Sequence, residues 1–191
     1  MTTSGVAAVV LAGGLGTRMR SETPKHLHVL LGRRLVDWVV AAAEVLDPQP
    51  LVVVTGADYA DAFDGLTVAV QQRPLGTGDA LAAARPSLKN HDGAVLVLAG
   101  DAPLLRGDTL RRLLETHRGA RAAATVLTSH REDPADYGRI VRAEDGSIRA
   151  IVEAADASEE ERAIREVNSS IYVFDSAQLW PAVEGLDPAN A

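Results

Sequence analysis

The chain has 191 residues, of which 47% are hydrophobic, with a formal net charge of −7 and no cysteine. This length can bury a substantial core, and one domain is the default expectation. The negative charge argues against nucleic-acid binding or attachment to a membrane surface, which both need a basic field. The lack of cysteine excludes disulfides, thiol nucleophiles and thiolate metal sites. No stretch is typical of a signal peptide or a membrane span, so we expect a cytoplasmic protein.

Apolar runs of strand length alternate with segments of helical period, which predicts βαβ units and a largely parallel sheet. In chain order, the predicted strands are 6–11, 51–55, 67–71, 94–101 and 122–127. The predicted helices are 33–46, a short one between the second and third strands, 78–84, 110–117 and 178–183. Pro86 is expected to stop the third helix and Pro181 to break the last one early.

After Ser129 the pattern changes to shorter, more strictly alternating segments joined by Asp-Gly and acidic turns. Such segments are typical of antiparallel or edge strands. We therefore predict a single domain over 1–191 with two halves, 1–129 and 130–191.

The segment "VVLAGGLGTRMRSETPKHLH" (9–28) places glycines directly after the first strand, and Arg18 and Lys25 follow them. Glycines at the carboxyl end of such a strand let backbone N–H groups close on a ligand, in the crevice where α/β sheets usually bind one. Arg18 and Lys25 would then be separate clamps for a polyanion. On these residues alone, a tight turn with solvated cations is equally consistent. The dinucleotide, Walker A and kinase glycine motifs are all absent.

This loop resembles the signature of sugar-1-phosphate nucleotidyltransferases, and five further segments match that family in the same order. They are "QQRPLGTGDA", "GDAPLL", "YGRIVR", "IVEAADAS" and "REVNSSIYVF". The whole is most similar to the uridylyltransferase domains of the bifunctional N-acetylglucosamine-1-phosphate uridylyltransferase/glucosamine-1-phosphate acetyltransferases. The resemblance implies an α/β fold, a three-layer sandwich with a Rossmann-like mixed sheet of the nucleotide-diphospho-sugar transferase type. The resemblance also implies that residues 1–129 form the nucleotide-binding half and residues 130–191 the sugar-binding half.

The implied reaction joins UTP and N-acetylglucosamine 1-phosphate into UDP-N-acetylglucosamine and pyrophosphate with Mg²⁺, as a step toward peptidoglycan. Thymidylyl, guanylyl or cytidylyl transfer stays open, as does a catalytically impaired sugar-nucleotide-binding fragment. The sequence ends at Asn190-Ala191, where the family continues into the second metal ligand and a trimeric acetyltransferase region. We therefore expect a C-terminally truncated domain that is monomeric and lacks acetyltransferase activity.

The resemblance also implies roles for individual residues. Arg18 and Lys25 would be catalytic, and Asp101 would bind the metal. The nucleotide-binding residues would be Leu11, Ala12, Gly13, Gly14, Gln71, Gly76 and Thr77. The sugar-binding residues would be Gly138, Glu153 and Asn168.

Simpler interpretations accompany several of these residues. Thr77 could cap the helix that follows it, and Asp101 could cap the next helix, although Asp108 lies closer to that helix. Without the resemblance, Glu153 is a solvated strand-end charge and Asn168 a turn former. Two residues depart from the family pattern: Asp79 replaces a histidine and Ser170 replaces a glycine. His26 and His28, which lack a third ligand nearby, are interpreted as loop packing.

Overall fold

The structure is a computed structural model that describes residues 5–14, 16, 19–73 and 75–186. Arg18, predicted to be catalytic, lies outside the described residues. The chain forms two compact units, one that comprises the residues up to Thr125 together with those from Tyr172 onward, and one that comprises Val126–Ile171. The change of character predicted after residue 129 lies close to the start of the second unit. The predicted sugar-binding half continues to 191, whereas the second unit ends at Ile171.

The strands are β1 (Val6–Ala12), β2 (Val29–Leu30), β3 (Arg33–Arg34), β4 (Leu51–Gly56), β5 (Thr67–Gln71), β6 (Ala94–Ala99), β7 (Ala124–His130), β8 (Arg139–Arg142), β9 (Ile148–Val152) and β10 (Glu166–Asp175). The α-helices are α1 (Leu35–Glu44), α2 (Thr77–Ala84), α3 (Gly107–Ala120), α4 (Glu159–Arg162) and α5 (Ser176–Glu184). Short 3₁₀ segments cover Lys25–Leu27, Ala57–Phe63 and Arg85–Leu88.

The first unit contains the strand order β5-β4-β1-β6-β10. Strand β1 pairs in parallel with both β4 and β6, and β4 pairs in parallel with β5. The last four residues of β10, Tyr172–Asp175, run antiparallel to β6. From β1 the chain moves outward to β4 and β5 and then returns to β6 on the opposite side. This reversal creates a crevice at the carboxyl ends of β1 and β6, where open α/β sheets bind ligands.

Helices cover both faces of this sheet. Alternate residues of β1 are buried on opposite faces, as the side-chain period of two requires. One face packs against α2 and α5, in a cluster that includes Val9, Leu81 and Leu179. On the other side, α1 contacts β1 and α3, and Val39 and Leu110 are fully buried. The predicted three-layer α/β architecture with a mixed sheet is therefore confirmed for this unit.

The second unit is antiparallel, as the alternating segments predict. Strands β8 and β9 form an antiparallel pair, and β10 pairs with both β7 and β8. A two-pronged ion pair supports it, because Arg142 Nε and Nη2 donate to the two carboxylate oxygens of Glu166 at 2.8 and 2.6 Å. These hydrogen bonds hold the pKa of Glu166 below its usual value.

Several predicted boundaries were wrong for local reasons. The helix predicted over 33–46 begins at Leu35, because Arg33–Arg34 pair with β2 in a short hairpin. Pro181 does not end α5, which continues to Glu184. The Asp175 side chain caps the start of that helix by accepting from the Gln178 N–H, and its packing on the sheet outweighs the one hydrogen bond that proline removes.

The helix caps also differ from the simpler interpretations. The residue that precedes α2 is Gly76, with a φ of +99°, so Thr77 is not the cap. Helix α3 begins after Arg106, which leaves Asp108 in its first turn with an ion pair to Arg111. Helix α4 is capped by Ser158 and Glu161 as a reciprocal pair. Within the described ranges, every helix is too short or too polar to cross a bilayer.

His26, in the turn that follows the glycine loop, packs against the 3₁₀ segment Ala57–Phe63. It is 3% exposed, its ring stacks on Phe63 with centroids 6.0 Å apart, and it meets Tyr59 edge-on. Its Nε2 has no hydrogen-bond partner among the described residues. Burial lowers the pKa of His26 from 6.5 to about 4, an effect that the nearby Asp101 carboxylate partly opposes.

The pKa of His26 predicts a dependence of stability on pH. Between about pH 4 and 6.5 the unfolded chain binds a proton that the folded chain excludes, so the free energy of unfolding rises with pH across this window. The shift is worth up to about 3 kcal/mol. Replacing the ring, as in His26→Phe, should reduce this rise in urea-unfolding experiments at pH 4.5 and 7. The exposed His130, changed to Gln, is the control, and an unaltered slope in His26→Phe would contradict the assignment.

Ser170 interrupts the extended backbone of β10 with a φ of +58°, and its N–H donates to Asn168 Oδ1 at 3.0 Å. A side chain in this left-handed conformation costs roughly 1–2 kcal/mol, and glycine avoids part of that cost. Ser170→Gly should therefore raise the free energy of unfolding by about 0.5–1 kcal/mol. Ser170→Val should lower it, although valine favours ordinary strands. Chemical denaturation of both variants tests this, and a stabilised valine variant would contradict it.

Candidate active site

The carboxyl edge of the first unit contains a cavity of about 260 Å³. It is lined by Leu11, Gly13, Gly14, Gln71, Gly76, Thr77 and Ala80. The first six were all predicted to bind nucleotide. They come from the end of β1 and the two glycines after it, and from the stretch that runs from the last residue of β5 to the first residue of α2. Ala12, the remaining predicted nucleotide-binding residue, is buried, and its carbonyl accepts a hydrogen bond from Thr55 Oγ1 at 3.0 Å. This hydrogen bond holds the end of β1 against β4 below the cavity.

Gln71 is the principal polar side chain of the cavity wall. It is 9% exposed, and its Nε2 donates to the Gly76 carbonyl at 3.2 Å and to Asp79 Oδ2 at 2.8 Å. These hydrogen bonds join the last residue of β5 to the start of α2. A buried amide with fixed partners is suited to recognise a ligand by its polar edge.

Gly16 allows the glycine loop to approach Lys25. It has a φ of +62°, and a methyl group at this position would lie 2.5 Å from the Lys25 Cβ. Glycine is therefore required both for the backbone conformation and for the close contact. Pro24 directly precedes the 3₁₀ turn that contains Lys25. The loop and this turn together fix the position of the Lys25 backbone.

Lys25 and Asp101 form an ion pair, with Nζ 2.6 Å from Oδ2. Their side chains are 45% and 34% exposed, so ligands can reach both groups. The end of β6 is held beside β1 because the Gly100 N–H donates to the Leu11 carbonyl at 2.9 Å. The structure thus brings a predicted catalytic cation and the predicted metal ligand into direct contact.

Sequence reasoning did not predict this pairing. The two residues are far apart in the sequence, and only the adjacency of β1 and β6 brings them together. A signal was available, because one is a cation and the other an anion, and each follows a strand predicted to lie in the same parallel sheet. Opposite charges expected at one edge of the sheet could have predicted an ion pair between Lys25 and Asp101.

The residues at this edge fit a metal carried by a phosphate ligand better than a resident metal. Among the described residues, no group of three His, Cys, Asp or Glu could hold a metal ion. Asp101 offers a single accessible carboxylate. Mg²⁺ is commonly held by one or two carboxylates together with phosphate oxygens and water, and Asp101 is a carboxylate of the kind that such a site uses.

The three predicted sugar-binding residues lie together within the second unit. The Asn168 N–H donates to the Gly138 carbonyl at 2.8 Å, and a methyl group at Gly138 would lie 3.1 Å from Glu153 Oε1. Asn168 is buried, and its Oδ1 accepts from the Ser170 N–H. The structure thus juxtaposes the Glu153 carboxylate with the buried amide of Asn168 and the buried Gly138.

A larger cavity of about 430 Å³ in the first unit contains none of the predicted site residues. It lies where β6 begins and α3 ends, and its lining includes His117, Arg118 and Arg121. Burial lowers the pKa of His117, and its Nδ1 is 3.0 Å from Thr125 Oγ1. Basic residues at this position complement the negative end of the α3 dipole, which explains them without a ligand.

Comparison with known proteins agrees with this arrangement. Residues 8–182 match the family of MobA-like NTP transferase domains. The chain is 47% identical to the bifunctional protein GlmU of Corynebacterium aurimucosum over 196 residues, and 46% identical to that of Pelotomaculum thermopropionicum over 190 residues. Both matches cover 97% of this chain but only 40% and 42% of the relatives. The chain therefore spans about two fifths of the length of these curated relatives.

A solved structure supports the fold independently. A putative glucose-1-phosphate thymidylyltransferase from Bacillus anthracis, crystallised with sucrose, matches with a TM-score of 0.76 and 21% identity, covering 97% of this chain and 77% of that one. At this identity the likeness concerns the fold alone. The family match spans nearly the whole chain and includes the strands and loops that build the cavity, so the chain belongs to the family of MobA-like NTP transferase domains.

Proposed function

We propose that this chain transfers the uridylyl group of UTP to N-acetylglucosamine 1-phosphate, with release of pyrophosphate. One observation carries the proposal: six residues predicted to bind nucleotide line a single cavity at the carboxyl edge of the sheet. The Lys25–Asp101 ion pair lies at the same edge of the sheet. The similarity to the bifunctional GlmU proteins supports the choice of uridylyl transfer among the reactions of this family.

The cavity of about 260 Å³ would take the uracil ring between the glycines of the loop and the start of α2. Gln71 would hydrogen-bond the polar edge of the base. The backbone N–H groups that follow β1 would bind the phosphates, because glycines leave them accessible. This arrangement explains how an acidic protein can hold a polyanion, since donors are concentrated locally while the net charge stays negative.

Lys25 would bind a phosphate oxygen, which would replace the Asp101 carboxylate as its anionic partner. Asp101 would hold Mg²⁺, and the ion when bound supplies positive charge that polarises the phosphate oxygens. Arg18, which the sequence predicts to be catalytic, would be the second cation and would bind the phosphates that leave as pyrophosphate. A cation–phosphate contact at about 4 Å, in an effective dielectric of about 20, is worth roughly 4 kcal/mol.

The reaction needs no covalent enzyme intermediate. An oxygen of the sugar phosphate attacks the α-phosphorus, the bond from that phosphorus to the bridging oxygen breaks, and the electron pair leaves with pyrophosphate. Catalysis then consists of positioning and stabilisation of charge. Lys25 would act on the phosphate that develops charge as the bond forms.

Gly138, Glu153 and Asn168 would bind the acceptor sugar. The Glu153 carboxylate would accept from hydroxyl groups, and the Asn168 amide can both donate and accept. Ser170, beside Asn168, occupies the position where the family has glycine, so it would influence which sugar is preferred. A cytoplasmic location is part of the proposal, since the chain has no cysteine and UTP is its expected substrate.

The proposal is tested by pyrophosphate release in Mg²⁺ with UTP, CTP, dTTP or GTP, each combined with N-acetylglucosamine, glucosamine or glucose 1-phosphate. The expected result is turnover that is fastest with UTP and N-acetylglucosamine 1-phosphate. Faster turnover with another pair would assign the chain to a different reaction of the same family. Nucleotide binding without turnover in any combination would leave only a binding role.

Loss of the Lys25 cation should separate catalysis from metal binding. Lys25→Ala should lower kcat/KM for pyrophosphate release by about 10²–10³-fold, as removal of a charge-stabilising donor typically does. The same change frees Asp101 from its ion pair, so Mn²⁺ binding without nucleotide, followed by electron paramagnetic resonance, should tighten about two- to fivefold.

Lys89→Ala is the matched control, because Lys89 is an exposed lysine away from the cavity. It should leave both measurements unchanged. Asp101→Asn should abolish the Mn²⁺ binding. A Lys25→Ala variant that keeps more than about half of the wild-type kcat/KM, or binds Mn²⁺ more weakly, would contradict the assignment.

A further inference from the structure

We propose that Asp79 is a positioning residue that locks the Gln71 carboxamide in one orientation, so that the cavity presents an acceptor oxygen to the base. The lock would favour bases with a protonated ring nitrogen, such as uracil, over cytosine. This inference rests on the proposed function, because it concerns the base that the same cavity binds.

Both N–H groups of the Gln71 amide are engaged by acceptors. One donates to the Gly76 carbonyl at 3.2 Å and the other to Asp79 Oδ2 at 2.8 Å. A carboxamide has two donors and one acceptor oxygen. Its donors are therefore both used by the protein, and only Oε1 is left for a ligand.

The orientation of the amide follows from the chemistry of these partners. A carbonyl oxygen and a carboxylate can only accept hydrogen bonds. Rotating the amide by half a turn would place Oε1 against both acceptors and would exchange two hydrogen bonds for two repulsive contacts. Asp79 supplies the stronger restraint, because it is charged and its contact is the shorter one.

Oε1 lies on the cavity side of the amide. A methyl group at Gly13 would come within 2.9 Å of this oxygen, and Gly13 and Gln71 line the same cavity. Oε1 accepts no hydrogen bond from the described residues. Oε1 is not among the buried side-chain atoms without a partner, so it is accessible and can accept a hydrogen bond from a ligand that donates to it.

This polarity distinguishes pyrimidines. Uracil has a hydrogen on its N3, which can donate to Oε1, whereas the N3 of cytosine is itself an acceptor. Sites that pair a polar edge reject analogues that leave it unpaired. Thymine shares the N3–H group with uracil, so Asp79 should separate UTP from CTP without separating UTP from dTTP.

Asp79 also lies in the first turn of α2, where a negative charge stabilises the helix. This structural role is the competing explanation. Asp108 provides a matched control, because it lies in the first turn of α3 and accepts from Arg111, which, unlike Gln71, does not line the cavity. Asp79→Asn separates the two explanations further, because its side-chain oxygen can still accept from Gln71 after the helix charge is lost.

The test is calorimetric titration of UTP and CTP into the wild-type chain and into Asp79→Ala, Asp79→Asn and Asp108→Asn. In Asp79→Ala the preference for UTP over CTP should fall about tenfold, the size expected for one hydrogen bond. In Asp79→Asn most of the preference should remain, and in Asp108→Asn all of it. As a structural readout, hydrogen exchange of the Gln71 side-chain NH₂, measured by NMR and assigned by its loss in Gln71→Leu, should quicken at least tenfold in Asp79→Ala.

An unchanged preference in Asp79→Ala, or equal weakening of UTP and CTP, would overturn the role of Asp79 while leaving the proposed function intact. If Asp79→Ala does not fold, loss of the whole preference in a folded Asp79→Asn would also overturn it, because the side-chain oxygen is still present. A folded wild-type chain that binds neither nucleotide would overturn both the inference and the proposed function.

Discussion

The parallel pairing of β1 with β4 on one side and β6 on the other is the constraint on which the candidate site depends. This pairing buries β1 on both faces. The chain leaves the sheet after Ala12, where β1 ends. The glycine loop is that exit. Because β6 ends beside β1, the same pairing carries Asp101 to the loop and allows its contact with Lys25. The strand order, more than any single side chain, therefore brings Lys25 and Asp101 together.

The site shows how a protein of negative net charge can be suited to bind a polyanion. Lys25 is neutralised by Asp101, with Nζ 2.6 Å from Oδ2. Because both groups are partly exposed, the pair contributes little to folding and can be exchanged at small cost. In the proposed function, a nucleotide with its metal would offer each member a new partner of opposite charge. In the proposed function, this ion pair would keep the two charges neutralised until a nucleotide and its metal replace them.

Much of the fold could be predicted from the sequence, because its elements follow strong periodic patterns. The parallel strands β1, β4, β5 and β6 were located to within two residues, whereas the short hairpin strands β2 and β3 were not predicted. The helix boundaries were less predictable, since they depend on tertiary contacts. The hairpin of Arg33–Arg34 with β2 shortens α1, and packing carries α5 through Pro181.

The candidate site could be predicted as a set of residues but not as a set of contacts. Glycine spacing and the family resemblance identified the lining of the cavity, including Gly13 and Gln71. The hydrogen bond from Gln71 to Asp79 was not predicted, because the family has histidine at that position and the sequence does not show where the amide points. The Lys25–Asp101 contact was hidden by the long sequence separation between the two residues.

We propose that UTP binds at the carboxyl edge of the first unit, around the end of β1. Amide hydrogen–deuterium exchange, resolved by mass spectrometry with and without UTP and Mg²⁺, tests it most directly. We predict slower exchange in peptides covering 9–14, 71–80 and 98–101, with no change in peptides covering 117–123. Slower exchange confined to 117–123, around the cavity that contains His117 and Arg121, would contradict the account.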